Sequence, residues 1–374
     1  MKATVESQKN REQRLQMQMR ATPMRPLNLL YRSGWDEFVR EEVNRPHDSL
    51  APGADALADS EEVRAARIAY HRHMRMVLTT PMEKVINEVA QAVHLNSGRR
   101  DGLLDRVIDG PHGTGKSALL RAVGRRVQQD VEKGQRGHDA NVVPVVHITA
   151  PDEAESKTAW VWEIACFLGL NPAPKNKTEL LDWRKHPDLS QPVNYVLEVV
   201  QTRLLLVDGL DTATPDQLIC VLPYFDYLRN KLGITTIFCG TGANARIHQA
   251  RHRADNQVRV HTAPLRAAEA PRGMPDTAAY RSPGLPVAWM LPLPLDKDDP
   301  ETFRRVLAGF QEDLSLYKLD DHALTRHATQ LHAITDGHIA LLSQLICTAA
   351  VQAIVSGTEN ITLADLRAIN IRAR

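Results

Sequence analysis

The sequence predicts an α/β fold: a parallel sheet with helices on both faces, followed by a small C-terminal domain made only of helices. Three observations predict it. Short β-rich runs alternate with helical stretches between residues 106 and 293, a glycine-rich loop joins the first run to its helix, and from Asp299 onward the pattern is helical alone. Such alternation builds strand–helix–strand crossovers, which cover both faces of a parallel sheet. At 374 residues the chain exceeds one ordinary core, so two or three packed units are expected. Its 43% hydrophobic and 24% charged residues are ordinary for a soluble globular protein. Lys plus Arg number 46 against 45 Asp plus Glu, which excludes a polybasic nucleic-acid binder; any DNA contact must come from a local patch.

In chain order, residues 1–26 are polar and locally basic, a solvated arm or a DNA- or partner-contacting one. Leu27 to Arg40 carries Leu29, Leu30, Tyr31, Trp35 and Phe38 and reads as ordered, whereas Glu41 to Glu62 is acidic, rich in Pro, Ala, Asp and Gly, and reads as a linker. Helical spacing resumes at Val63, Ala66, Ile68 and Tyr70 and, after Pro81, at Val85, Ile86, Val89 and Val93. Strands are expected at Arg106–Asp109, Val142–Thr149, Leu204–Val207, Thr235–Cys239 and Ala288–Leu293, with helices near 117–132, 155–168, 191–201, 215–232 and 242–252. The runs Leu204–Val207 and Thr235–Phe238 are continuously apolar or β-branched, as strands buried on both faces require. Residues 266–287, rich in Pro, Ala, Arg and Gly, read as a loop.

The tail should form helices at Phe303–Leu314, His322–Ile334, Ile339–Ser356 and Leu363–Ile371, the last opened by a capping box from Thr362 to Asp365. Ile339 to Val355 is long and apolar, but Ser343, Gln344 and Gln352 recur on a helical period, so it reads as a core-facing helix and not a membrane span. The start lacks an apolar signal-peptide segment, and the chain is expected to be cytoplasmic, with no membrane partner. The organisation expected is an arm and linker over 1–62, a core over 63–298 and a helical domain over 299–374.

Cys166, Cys220, Cys239 and Cys347 are far apart, each in an apolar run, and are expected to be buried reduced thiols. His248 and His252 have helical i,i+4 spacing but lack an adjacent Glu or Cys, so no zinc site is predicted. Trp160, Trp162 and Trp183 are expected to pack in the core, a base-stacking surface being the alternative.

The chemistry-bearing signal is Gly110-Pro111-His112-Gly113-Thr114-Gly115-Lys116-Ser117, set between the β-run Val107-Ile108 and a helix with Leu120, Val123, Val127 and Val131. This is a P-loop in its required strand–loop–helix context. Gly113 and Gly115 let the backbone approach phosphate oxygens, and the amides at the helix start supply positive field for an anion. The stretch Gly110 to Ala118 is therefore the expected nucleotide cradle, for ATP with Mg²⁺. Lys116 should reach the β- and γ-phosphates and the Ser117 hydroxyl should coordinate Mg²⁺. Asp208, 92 residues beyond Lys116, ends the apolar run Leu204–Val207 and reads as the Walker B carboxylate that holds the metal's hydration shell. Gly209 follows it where many ring-forming ATPases carry a Glu. Asp211 is the nearest carboxylate for that water-orienting role, or else a cap for the helix near Pro215, and hydrolysis is expected to be slow or partner-dependent. Thr241, after the apolar run Ile234–Cys239, is the candidate γ-phosphate sensor with Asn244 behind it, the alternative being a Ser/Thr-capped turn.

With these signals and the helical tail, the chain resembles the TniB/TnsC family of AAA+ ATPases, from about Tyr70 to Arg367. The likeness rests on Arg72–Met82, read as a helix running into a Thr-Pro-Met step, and on Gly240-Thr241-Gly242-Ala243-Asn244. It rests also on Asp255-Asn256-Gln257-Val258-Arg259 and on a lid ending in Ala353-Ile354-Val355-Ser356-Gly357. The resemblance implies an AAA+ P-loop NTPase with a helical lid. It also implies ATP-dependent self-association into a ring or helical oligomer on duplex DNA, and a TniA-like DDE transposase as partner. Arg259 is the candidate arginine finger on a neighbouring subunit's γ-phosphate, with Arg251 and Arg253 as substitutes. The lid start, His338-Ile339-Ala340-Leu341, lacks the usual sensor-2 Arg. Asp208-Gly209-Leu210-Asp211 is also similar to the NACHT/STAND signalling ATPases, whose long repeat arrays have no counterpart here.

Overall fold

The computed structural model describes residues 28–41, 61–72, 74, 76–97, 105–135, 139, 141–152, 156–170, 189–254, 285–295, 299 and 301–370. They fall into two compact units, one of residues 28–40 and 81–291 and the other of residues 41–80 and 292–370.

The first unit is built on helices α1 (Arg32–Arg40) and α3 (Thr80–Asn96) and a five-stranded sheet. Its strands are β1 (Arg106–Asp109), β2 (Val145–Thr149), β3 (Leu204–Asp208), β4 (Thr235–Cys239) and β5 (Val287–Trp289). Helix α2 (Glu61–Arg72) belongs to the second unit. The strand order is β2-β3-β4-β1-β5, and every pairing is parallel. Leu204 to Val207 and all of β4 are buried, which matches their unbroken apolar and β-branched composition. Crossovers are made by α4 (Lys116–Gly134), α5 (Lys157–Phe167), α6 (Ser190–Val199), α7 (Pro215–Leu232) and α8, helical over 243–254. Two expected strands are shorter than predicted: β2 begins only after Pro144, whose ring nitrogen has no hydrogen to give the ladder, and β5 ends at Trp289 before Pro292.

Helix α4 buries Leu119, Leu120, Val123 and Val127 against the sheet. It also carries α1. Trp35 lies flat enough on His147 to stack with it (5.5 Å, 22°), donates from Nε1 to Gln128 Oε1 at 2.7 Å, and is fully buried. Gly124 makes this seat: a Cβ there would stand 2.7 Å from the Trp35 ring and 2.6 Å from Leu206. Arg125 lies over the Phe38 ring and donates to the Val39 carbonyl, and Arg32 reaches the Val142 carbonyl. Trp160, buried edge-on against Phe225, is a core residue as expected, and Trp162 packs at the core's margin; Trp183 lies outside the described residues. The cysteines are free but not uniformly buried. Cys220 is exposed on α7, because its helix position points away from the face that carries Leu218, Val221 and Leu222.

The second unit joins α2 to α9 (Glu301–Asp313), α10 (Ala328–Thr335), α11 (Ile339–Ser356) and α12 (Leu363–Ala368). This grouping differs from boundaries at 62/63 and 298/299, since α2 contributes Ile68 to the helical core. Nor does one helix run through 72–82. Helix α2 stops at Arg72 and α3 starts at Thr80, where Pro81 suits a helix's first turn but not its interior. Thr362 and Asp365 do form the reciprocal capping box. Helix α11 is, among the described residues, long and apolar enough to cross a membrane; Leu342, Leu345, Ile346, Ala349, Ala350 and Ile354 are buried in the helical core.

A polar cluster is buried beside that core. Arg67 reaches Glu359 with two nitrogens and the Ser315 carbonyl with two, and its guanidinium covers the Tyr317 ring at 4.3 Å. His71 Nε2 accepts from the Ser315 N–H at 3.0 Å while Nδ1 lies 2.7 Å from the Arg67 carbonyl, a neutral tautomer with Nδ1–H donating. Burial, aided by the Arg67 charge, lowers His71 to about 4.

Two outcomes are expected. Trp35→Ala should cost the sheet unit about 3–5 kcal/mol in a urea titration followed by circular dichroism; a loss under about 1 kcal/mol would mean that α1 is not docked. His71 is neutral when folded but protonates below 6.5 when unfolded, so its contribution is present above pH 6.5 and lost as pH falls towards 4. That loss should amount to about 3 kcal/mol in the unfolding free energy of the helical unit, and His71→Gln should flatten it.

Candidate functional site

A parallel sheet ends all its strands on the same edge, and here that edge gathers the polar residues of three strands. Register aligns Ile108 of β1 with Cys239 of β4, and Val207 of β3 with Phe238, so Asp109, Asp208 and Cys239 emerge side by side. Backbone bonds continue past the strands: Gly240 N–H donates to Ile108, Leu210 to Cys239 and Ala150 to Asp208.

From β1 the chain turns through Gly110 to Ser117 into α4. At Gly110 (φ 150°) a Cβ would stand 1.9 Å from the Met290 carbonyl oxygen, so only glycine lets β1 and β5 close up there. Gly113 and Gly115 take positive φ (76° and 89°), and the left-handed Gly115 is the residue from which α4 starts. Thr114 Oγ1 donates to the Pro111 carbonyl at 2.9 Å, and Lys116 Nζ donates to the same oxygen at 2.6 Å. Among the described residues, the N–H groups of Gly113, Thr114, Gly115, Lys116 and Ser117 donate to no protein acceptor. Five adjacent donors at a helix N-terminus, with one ammonium folded back over them, fit an anion with several oxygens.

Across the loop, Ser117 Oγ donates to Asp208 Oδ1 at 3.0 Å. The two are oxygen donors of the hard kind that suits Mg²⁺, and Ser117 with Asp208 would hold that ion. The same Asp208 oxygen accepts the Gly209 N–H at 2.9 Å. Cys239 lies beneath. Burial first, and then the charge and hydrogen bond of Asp208, push its thiol well above the ordinary range, while Lys116 opposes and Asp211 adds to the shift. All four groups thus share one electrostatic neighbourhood. Cys239 was not singled out by the sequence, where a thiol ending a buried strand looks like any core cysteine.

Asp211 does not cap α7. Thr214 does, in a capping box with Gln217; among the described residues Asp211 makes no hydrogen bond or ion pair through its side chain. Nor is Thr241 a capped turn. Its hydroxyl oxygen is buried and has no hydrogen-bond partner among the described residues. Asn244 lies one turn on and is anchored by its backbone N–H to Asp109. Asp109 itself was missed; its signal was a carboxylate ending a buried strand directly before the first loop glycine. Of the arginines, Arg251 pairs with Asp226 and Arg253 with Asp216, both on α7, and Arg259 lies outside the described residues.

The profile of the family described as Bacterial TniB protein matches residues 67–265, more than half of the chain. Among solved structures, the ORC1 protein of Aeropyrum pernix in complex with DNA superposes with a TM-score of 0.51 at 15% identity, covering 79% of this chain and 65% of that one. The ORC2 protein of the same organism, in ADPNP–ADP complexes, gives 0.45 at 14% identity, covering 77% and 66%. This chain thus spans slightly less than two thirds of either. No curated protein sequence matches it. The fold is that of an AAA+ P-loop NTPase.

Gly110→Ala tests the loop. A methyl group 1.9 Å from a backbone carbonyl must part β1 from β5, so a destabilisation of about 3 kcal/mol or more is expected, together with loss of nucleotide binding. A variant of unchanged melting temperature would contradict that packing.

Proposed function

The chain belongs to the TniB family, and on that premise we propose that it is an ATP-binding regulator of DNA transposition, which assembles on duplex DNA with ATP and recruits or activates a DDE transposase. The observation that carries the nucleotide half is the joining of Ser117 to Asp208 at 3.0 Å beside a loop of unpartnered amides. Residues Gly110 to Ala118 hold the triphosphate, with Pro111 and His112 shaping the loop. Lys116 exchanges the Pro111 carbonyl for phosphate oxygens. Ser117 and Asp208 hold Mg²⁺, which when bound neutralises phosphate charge. The Thr241 hydroxyl reads the γ-phosphate, and Asp211 orients the attacking water for hydrolysis to ADP and phosphate.

Turnover in this reading is slow or partner-stimulated, because Gly209 stands where a water-polarising Glu is usual in ring ATPases. The nucleotide acts chiefly as an assembly ligand. Lys116 and Ser117 grip it on one subunit and Arg259 of the next completes the site, so only the assembled state gains the bridging contacts. The A. pernix ORC1 neighbour is a DNA complex, and DNA is the scaffold proposed for this chain too. The compartment proposed is the cytoplasm. The short Asp208-Gly209-Leu210-Asp211 segment also suits a NACHT/STAND-type switch acting on a protein partner.

The test is sedimentation or electron microscopy with duplex DNA, with and without Mg-ATP. Growth of a ring or helical oligomer only when ATP and DNA are both present, abolished by Lys116→Ala, is expected. Oligomers that ignore ATP would sink the proposal, and nucleotide exchange that answers to a protein and not to DNA would favour the signalling switch.

A further inference from the structure

Strand β1 ends on a carboxylate that the nucleotide reading leaves unused. Asp109 is 3% exposed, and a carboxylate so buried must have its oxygens satisfied. Backbone amides from two separate segments do this. Oδ1 accepts the N–H of Gly110 at 2.6 Å and of Gly242 at 2.8 Å, and Oδ2 accepts the N–H of Asn244 at 2.9 Å. The Asp109 carbonyl accepts a third segment's N–H, that of Met290, at 2.8 Å. One residue therefore fastens the first residue of the P-loop, the loop from β4 to α8, and the end of β5.

The fastened β4–α8 loop contains Thr241. Its successor Gly242 is held by Asp109, and its predecessor Gly240 is pressed so closely on the β3–α7 loop that a Cβ would stand 2.8 Å from the backbone nitrogens of Leu210 and Asp211. Thr241 is pinned on both sides, while its buried hydroxyl has no protein partner among the described residues. We propose that Asp109 is a positioning residue for Thr241: by clamping Gly242 and Asn244 to the P-loop's first residue, it sets the distance between the Thr241 hydroxyl and the phosphate cradle. The inference rests on the nucleotide reading above and deepens it, since it assigns discrimination between triphosphate and diphosphate to a residue that touches neither.

Asparagine cannot replace Asp109. Both carboxylate oxygens accept N–H groups, so an Asn amide would set its own N–H against that of Gly242 or Asn244. The experiment compares wild type, Asp109→Asn, Thr241→Ala, the double variant and Lys116→Ala, and measures affinity for Mg-ATPγS and Mg-ADP by calorimetry. Asp109→Asn and Thr241→Ala should each reduce the preference for ATPγS over ADP about tenfold, with ADP affinity held within about threefold. The double variant should be no worse than Thr241→Ala alone, because the clamp acts through that hydroxyl. If Asp109→Asn fails to fold, Asn244→Pro removes a single donor within the helix's first turn, where no intrahelical bond is lost, and should reproduce the loss in part.

Unchanged preference in Asp109→Asn, or losses that multiply in the double variant, would overturn the inference and leave the nucleotide site standing. Unchanged preference in Thr241→Ala, with binding still abolished by Lys116→Ala, removes the sensor role of Thr241 and this inference with it. Binding that survives Lys116→Ala removes the nucleotide reading itself.

Discussion

Parallel pairing of five strands, with β3 and β4 closed off from water, is the constraint on which the site depends. A buried strand has no alternative partner for its amides and carbonyls, so its register is held by every ladder bond at once. That register brings the ends of β1, β3 and β4 level, and the residues just beyond them meet. Slip β4 by one residue and Cys239 no longer lies beside Asp208, nor the Gly242 N–H within reach of Asp109. The polar site is accurate because the apolar sheet beneath it is rigid.

The arrangement is also uneven in charge. Around Cys239 the charge of Lys116 opposes those of Asp208 and Asp211, and Asp109 ends the neighbouring strand, yet each carboxylate is handled differently. Asp109 is consumed by backbone amides and cannot reach out. Asp208 is shared among Ser117, Gly209 and Cys239. Asp211 alone keeps a carboxylate without a protein partner among the described residues. Position within the fold thus gives three chemically identical groups three different sets of partners. Behind the site, α1 braces α4 through Trp35 and Arg125, tying the helix that begins at Lys116 to a segment far upstream in sequence.

The helical unit is organised by a different interaction. Arg67 and Glu359 are both excluded from water, and such a pair repays its desolvation only when every remaining donor and acceptor is engaged. The Ser315 carbonyl, the Tyr317 ring and the neutral His71 engage them. Because Arg67 belongs to α2 and its partners to the stretch after α9, this pairing joins segments that precede and follow the sheet in sequence into one helical unit.

Much of this was written in local sequence. Strand–helix alternation, the unbroken apolar runs of β3 and β4, the glycines around Lys116 and the Thr362 capping box are short-range patterns, each produced by the chain's own periodicity or by backbone conformations few residues adopt. They determined the fold class and the P-loop, and they marked Asp208 at the end of β3. What tertiary structure alone decided is everything that depends on proximity between distant residues. Arg67 finds Glu359, Trp35 finds the gap left by Gly124, and Asp109 finds the amides of Gly242 and Asn244, pairs that no periodicity marks because they are made across the sheet or the helical core. Which residue caps α7 was equally open until Thr214 took the cap, since two polar residues near a helix start look alike until one of them meets the amide.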